Sequence, residues 1–353
     1  MPEKEQTNPA NKKQQIIDCF DPSGVGLENG NIFGFPFDYE TANIIILGVP
    51  WEVTVSFHSG TVGGPQAVLD ASPQLDFYDY DNPGGWKQGI YMPPVPGWIL
   101  RENERLRSPA QTVVKATEQG KKPDQSLLDE VNLGCEQLND WLFDQTQALL
   151  NDSKKVGIIG GDHSVPLGAL RAIAQKYSSF GILHIDAHCD LRDAYQGFEF
   201  SHASIMRNVL KLPQVSKLVQ VGIRDVSLKE IAFAEGNEHV VVHHDMGLKR
   251  SRYAGQPWYA LCQQIVADLP DQVYVSFDID GLDPKLCPTT GTPVPGGLEL
   301  DEAFCLLREV TDTREIIGFD LCEVGADEWD GNVGARIVYK LCNLMGLSKR
   351  KAV

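Results

Sequence analysis

Residues 181–193 read GILHIDAHCDLRD, an apolar run that ends among acids and histidines. Gly181–Ile185 has the aliphatic character of a strand buried on both faces. Beyond it, Asp186, His188 and Asp190 fall two residues apart. Side chains two apart on an extended chain share a face, so these three can converge while Ala187 and Cys189 turn away. A site just past the carboxyl end of a strand is where ligands bind in open α/β sheets.

The same design recurs outward from this segment. GGDHS (160–164) follows the apolar run KVGIIG and supplies His163. SFDIDGLDP (276–284) supplies Asp278 and Asp280, and DLCEVG (320–325) supplies Glu323. Further strands read at 42–50, 217–223 and 239–244, with helical patterns at 60–72, 124–150, 165–177, 201–211, 256–268, 300–312 and 333–346. Aliphatic strands alternating with helices predict an α/β fold, three layers around a central, mostly parallel sheet. One such segment alone reads equally well as a turn or a helix cap. Four of them, all at what would be one sheet edge, predict a cluster of His163, Asp186, His188, Asp190, Asp278 and Asp280.

Imidazoles and carboxylates suit Mn²⁺, Ni²⁺, Co²⁺, Zn²⁺ or Fe²⁺. Four carboxylates balance two divalent cations, and six ligands exceed what one ion needs, so a two-metal site able to acidify a shared water is expected. Some of the four aspartates should bridge. Asp162, Asp193 and Asp283 read as partners of the ligands or as caps.

The chain has 353 residues and a formal charge of −17. That charge argues against nucleic acid and against an anionic membrane as partners, and is compatible with a small cationic substrate. Eight scattered cysteines without a CxxC pair, and an N-terminus without an apolar run, suggest reduced thiols in a cytoplasmic protein. Residues 1–20 read as a flexible extension and 21–353 as one domain. That domain carries a long Pro/Gly/aromatic insertion at about 77–123, which begins FYDYDNPGGWKQGIYMPPVPGWIL.

Together GGDHS, DAHCD and SFDIDGLDP…TGTPVPGGL resemble the ureohydrolase (arginase/agmatinase) family over roughly residues 42–346. The resemblance implies a homotrimer or homohexamer with two divalent metals per subunit. His163, Asp186, Asp190 and Asp278 would hold one metal, and His188, Asp186, Asp278 and Asp280 the other. Asp190 would relay a proton in the cleavage of a guanidinium or formimino C–N bond. Glu323 would bind the guanidinium, and His202 at the pocket mouth would shuttle protons; the alternative for His202 is a residue that merely starts a helix. Departures from agmatinases point to the guanidine hydrolase branch, for which Ni²⁺ rather than Mn²⁺ is implied. These are HASIMRN at 202–208, EVGADEWD at 323–330, DLRD after DAHC, and no arginine after the GP of 64–65. Trp329 and the aromatics of 77–98 are expected to fill the space a longer substrate would need. Guanidine, cleaved to urea and ammonia, is therefore the expected substrate, with agmatine or another guanidino or formimino compound as the alternative. A metal-binding member without activity is the reading from another class, and the complete ligand set argues against it.

Overall fold

A computed structural model describes residues 8–347. Its centre is an eight-stranded sheet: β1 (Ile44–Val49), β2 (Ile90–Tyr91), β3 (Lys155–Gly160), β4 (Phe180–Ile185), β5 (Val215–Ile223), β6 (Val240–His244), β7 (Gln272–Asp278) and β8 (Glu315–Cys322). The order is β2-β1-β3-β8-β7-β4-β5-β6, and every pairing is parallel. Every residue of β1 and β4 is buried, as the unbroken aliphatic runs require of strands covered on both faces.

Eleven helices flank the sheet among the described residues: α1 (Pro9–Cys19), α2 (Gly64–Ala71), α3 (Gly97–Glu118), α4 (Gln125–Asn151), α5 (Leu167–Lys176), α6 (Ile205–Val209), α7 (Leu228–Glu235), α8 (Asp245–Tyr253), α9 (Trp258–Ala267), α10 (Leu300–Thr313) and α11 (Glu328–Met345). Eight of them pack as two sets, α3–α4–α5–α6 and α9–α10–α11–α2, giving the three-layer arrangement. Chain order reverses between neighbours in the middle of the sheet, where β3, β8, β7 and β4 lie side by side. Those are the four strands whose ends carry His163, Glu323, Asp278 and Asp186. In-register pairs Asp278–Cys322 and Ile185–Phe277 bring these ends level.

The segment read as a flexible extension contains α1, and residues 1–7 lie outside the described residues. Lys12 pairs with Asp38 at 2.5 Å, Lys13 Nζ donates to the Gln88 carbonyl, and Phe20 packs on Phe35 and Trp86. The insertion contains a long helix, since residues 97–118 form α3. Its buried face is Ile99, Asn103, Leu106, Ala110 and Val113, and the polar Asn103 together with Pro109 inside the helix hides the period.

Candidate functional site

Each strand end delivers its side chain through a short, strongly constrained turn. After β3, Gly161 passes so close to Trp51 that a Cβ would lie 2.1 Å from its carbonyl oxygen. After β7, Asp278 caps a 3₁₀ turn by accepting from the Asp280 amide at 2.8 Å, which carries Asp280 back toward β4. After β8, Glu323 takes φ +62°, and Asp190 takes φ +53°. Left-handed backbone is costly for a side chain such as Glu, and strain of this kind gathers where geometry serves function. The 186–190 segment is therefore not extended throughout. It bridges to Asp225 at His188 and then reverses at Asp190, and the three side chains still meet at one site.

Two groups of donor atoms result. His163 Nδ1 lies 3.2 Å from Asp186 Oδ2, 3.3 Å from Asp190 Oδ2 and 3.2 Å from Asp278 Oδ2. His188 Nδ1 lies 3.4 Å from Asp186 Oδ1 and 3.1 Å from Asp280 Oδ2. Asp186 thus faces both groups, one oxygen to each. Atoms bound to one cation at about 2.0–2.2 Å lie roughly 3.0–3.5 Å apart, so both groups have the spacing and chemistry of a divalent metal site.

The electrostatics point the same way. Burial, then Asp280 and Asp186, push the Asp278 carboxyl well above its ordinary range, and burial with Asp186 pushes Asp190 up to about 6. Burial, Asp162 and Asp280 push Glu323 well above its range. For Asp186 the burial penalty is outweighed by His184, His163 and His188, which hold it well below the usual carboxylate range. For His163 and His188 burial opposes the charge, but the surrounding aspartates hold both well above the ordinary value. Carboxyls driven up by one another call for positive charge among them.

Beneath the cluster lie partners that the sequence reading missed. The Ser276 hydroxyl donates to Asp320 Oδ1 at 3.1 Å and sits 2.9 Å from His163 Nε2. That nitrogen is therefore the donor, and Nδ1 is left to face the aspartates. Gln220 Nε2 donates both to the Cys189 carbonyl and to His184 Nδ1, so His184 Nε2 donates to Asp186 Oδ2 at 2.8 Å. His184 sits two residues before Asp186 on the same face of the strand, a signal the aliphatic run concealed. Cys189 is buried away from the cluster.

A cavity of about 420 Å³ opens above these groups, walled by His163, His188, Asp190, His202, Asp278 and Glu323. His202 stands beside Tyr195 with ring centroids 5.9 Å apart. It is half-buried, and desolvation, then the charges of His188 and His163, push it down to about 3. Glu323 Oε1 accepts the His163 amide at 3.0 Å, and Gly291 leaves room for Oε2, which a Cβ there would meet at 2.6 Å. Arg192, Tyr195, Ser56, Thr292, Asp225 and Glu230 also line the cavity and were not anticipated.

Three anticipated placements differ. Trp329 does not line the cavity; it is exposed, starts α11, and its indole donates to the Lys285 carbonyl at 3.1 Å. The aromatics of 77–98 do not line it either. Trp86 is in the core, while Tyr78 and Tyr80 face solvent. Asp193 is exposed beside Arg207 and partners no site residue. Asp162 and Asp283 cap turns, accepting from the Ser164 and Lys285 amides. All eight cysteines are free thiols, and no helix among the described residues is long and apolar enough to cross a membrane.

Comparison with known proteins completes the picture. The arginase family profile matches residues 42–343. An N(1)-aminopropylagmatine ureohydrolase of Synechocystis sp. is 30% identical over 322 residues, covering 89% of this chain and 92% of that protein. An agmatinase of Neisseria meningitidis is 30% identical over 341 residues, covering 90% and 94%. Among solved structures, proclavaminate amidino hydrolase from Streptomyces clavuligerus superposes with a TM-score of 0.72 at 24% identity, covering 92% and 99% of the two chains, a likeness of fold.

Proposed function

The chain belongs to the arginase family of binuclear-metal hydrolases acting on amidino C–N bonds, and we propose that its substrate is the guanidinium ion, cleaved to urea and ammonia. The observation that carries this reading is the Glu323 carboxylate in one wall of a cavity whose floor is the histidine–aspartate cluster. A buried carboxylate takes a planar guanidinium through two parallel charge-assisted hydrogen bonds, which present the central carbon to the floor. His163, Asp186, Asp190 and Asp278 would hold one divalent ion, and His188, Asp186, Asp278 and Asp280 the other, with Asp186 and Asp278 common to both. When bound, the pair supplies acidification of water and offsets the carboxylate charge.

Asp190, beside His163 in the cavity floor, takes a proton from the attacking water and passes it to the departing nitrogen. The C–N bond breaks with its electron pair leaving on ammonia. His202 would relay protons between the cavity and solvent once His163 and His188, as neutral metal ligands, no longer hold its proton affinity down.

The choice of guanidine rests on the mouth. Arg192, half exposed and stacked at 4.8 Å on Tyr195, is the one arginine or lysine in the cavity wall, and it opposes an ammonium tail. Glu230, which pairs with Arg192 at 3.8 Å and also lines the cavity, is engaged by Ser227 and the Leu191 amide. Nickel, a homotrimer or homohexamer, and a cytoplasmic location accompany this reading. A second reading, agmatine or N(1)-aminopropylagmatine, is favoured by the cavity volume, which exceeds what guanidinium fills, and by exposed Asp225 at its rim. Urea release from each compound, with Ni²⁺ or Mn²⁺ supplied, separates the two. Turnover of guanidine alone is expected. Turnover of the tailed compounds without guanidine overturns the first reading, and no urea from any of them, at full metal content, overturns both.

A further inference from the structure

Residues 52–62 form a closed loop between β1 and α2 that supplies Ser56 to the cavity wall. Its ends are tied by one carboxylate: Glu52 Oε2 accepts from the Gly60 amide at 2.7 Å, the Val62 amide at 3.0 Å and the Thr61 hydroxyl at 3.3 Å. Its base abuts the guanidinium-binding side, because Thr61 Cγ2 and Glu323 Oε2 both lie within 4 Å of where a Gly291 Cβ would be. Its tip carries Phe57, 67% exposed and stacked on His58.

The body of the loop has a tether outside itself, and the tether is α3. Asn103 Oδ1 accepts the Glu52 amide at 2.7 Å. One turn on, Arg107 Nη1 donates to the carbonyls of Val53 at 3.0 Å and Val55 at 2.5 Å, and Nη2 donates to Ser59 Oγ at 2.9 Å. Residues at i and i+4 share a helix face, so the two side chains form one clamp. A guanidinium fork can reach three acceptors at once in a fixed plane, which an ammonium cannot. Glu52 and Asp162 offset part of the cost of burying its charge.

We infer that Arg107 is a positioning residue for substrate binding: from α3 it holds residues 53–59, and with them Ser56 in the cavity wall. This rests on the reading of that cavity as the substrate site. The inserted α3 thereby acquires a role that neither the metal cluster nor the fold requires of it. Arg107 touches no reacting atom, so its loss should act on substrate affinity and leave the chemistry intact.

The test compares wild type with Arg107→Gln and Arg107→Lys in the metal-loaded enzyme. For the compound that wild type turns over, Arg107→Gln should raise KM about ten-fold, with kcat and metal per subunit within two-fold, and Arg107→Lys should fall between. Chymotrypsin should cut after Phe57 about ten-fold faster in Arg107→Gln than in wild type. An unchanged KM, or a fall in kcat and metal content that matches the loss of affinity, overturns the inference. If Arg107→Gln does not fold, Arg107→Lys carries the same expectations at smaller size. If wild type releases urea from no guanidino compound, the functional reading fails by itself. The cleavage rate then judges the clamp alone, and equal rates overturn it.

Discussion

The floor of the cavity and the wall above it are held in different ways. In the floor, side chains from adjacent strands lock one another: Ser276 of β7 lies between His163 and Asp320 of β8, and Gln220 of β5 orients His184 of β4, which in turn holds Asp186. None of these atoms moves without disturbing the register of the sheet. In the wall, side chains hold backbone: Arg107 the carbonyls of Val53 and Val55, and Glu52 the amides of Gly60 and Val62. The wall can therefore shift while the floor stays put. Substitutions in the floor should abolish turnover, and substitutions in the wall should alter affinity and substrate choice.

The hardest test of that contrast is Asp186→Asn. Asp186 faces both donor groups, so the loss of its charge should lower turnover by at least about 10³-fold, beyond the roughly 10–100-fold expected for outer partners such as Ser276. Metal per subunit, measured by elemental analysis, should fall below two, and chelation of wild type should reproduce the loss. A variant that kept its turnover and changed only KM would break the distinction between floor and wall.

Glu323→Gln sits where the two regions meet. Its carboxylate is in the wall, yet its left-handed backbone is set by the end of β8, where the amide donates to the Gly161 carbonyl and the carbonyl accepts from Thr290. Exchange of charge-assisted for neutral hydrogen bonds costs about 2–3 kcal/mol, so kcat/KM should fall roughly a hundred-fold. Metal content should not change. A loss of metal on this substitution would move Glu323 into the floor.

His202→Asn should have a smaller effect, about ten-fold on kcat at neutral pH, with added imidazole restoring part of the rate. Full activity without rescue would leave His202 as the residue that merely starts the 3₁₀ turn before α6.

The floor was legible in the sequence because its signal is short-range. Pairs two residues apart, at the ends of aliphatic runs, mark Asp186 with His188 and Asp278 with Asp280 whatever the rest of the chain does. Even there, the reversal at Asp190 and the partners His184, Gln220 and Ser276 could not be read, since each depends on which strands are neighbours. The wall was not legible because its contacts span long separations: Arg107 meets residues 48 to 54 positions away. Asn103 also occupies a core position of α3, which blurs the helical period, and it does so because the Glu52 amide needs an acceptor. Trp329 misled because bulk near Glu323 in sequence says nothing of direction. The cap at Asp327 starts α11 and turns the indole outward to Lys285.

The smallest effect should come from α1, which lies outside both regions. Lys12 pairs with Asp38, and both side chains are at least 40% exposed, so solvent screens much of the attraction. Lys12→Met should lower Tm only slightly, by roughly 1 °C, with kcat and KM unchanged. The pH dependence has a definite sign. Burial opposes the Asp38 charge, but Lys12 and Thr41 outweigh it and bring the carboxyl down to about 2 from an ordinary 3.8. A depressed carboxyl contributes stability above its unfolded value and loses it as pH falls through the folded value. Urea unfolding should therefore separate wild type from Lys12→Met at pH 7, and the gap should shrink between about pH 4 and pH 2. A gap that persists at pH 2 would mean that Lys12 acts through the packing of its stem. A change in KM would mean that the order of α1 reaches the wall after all.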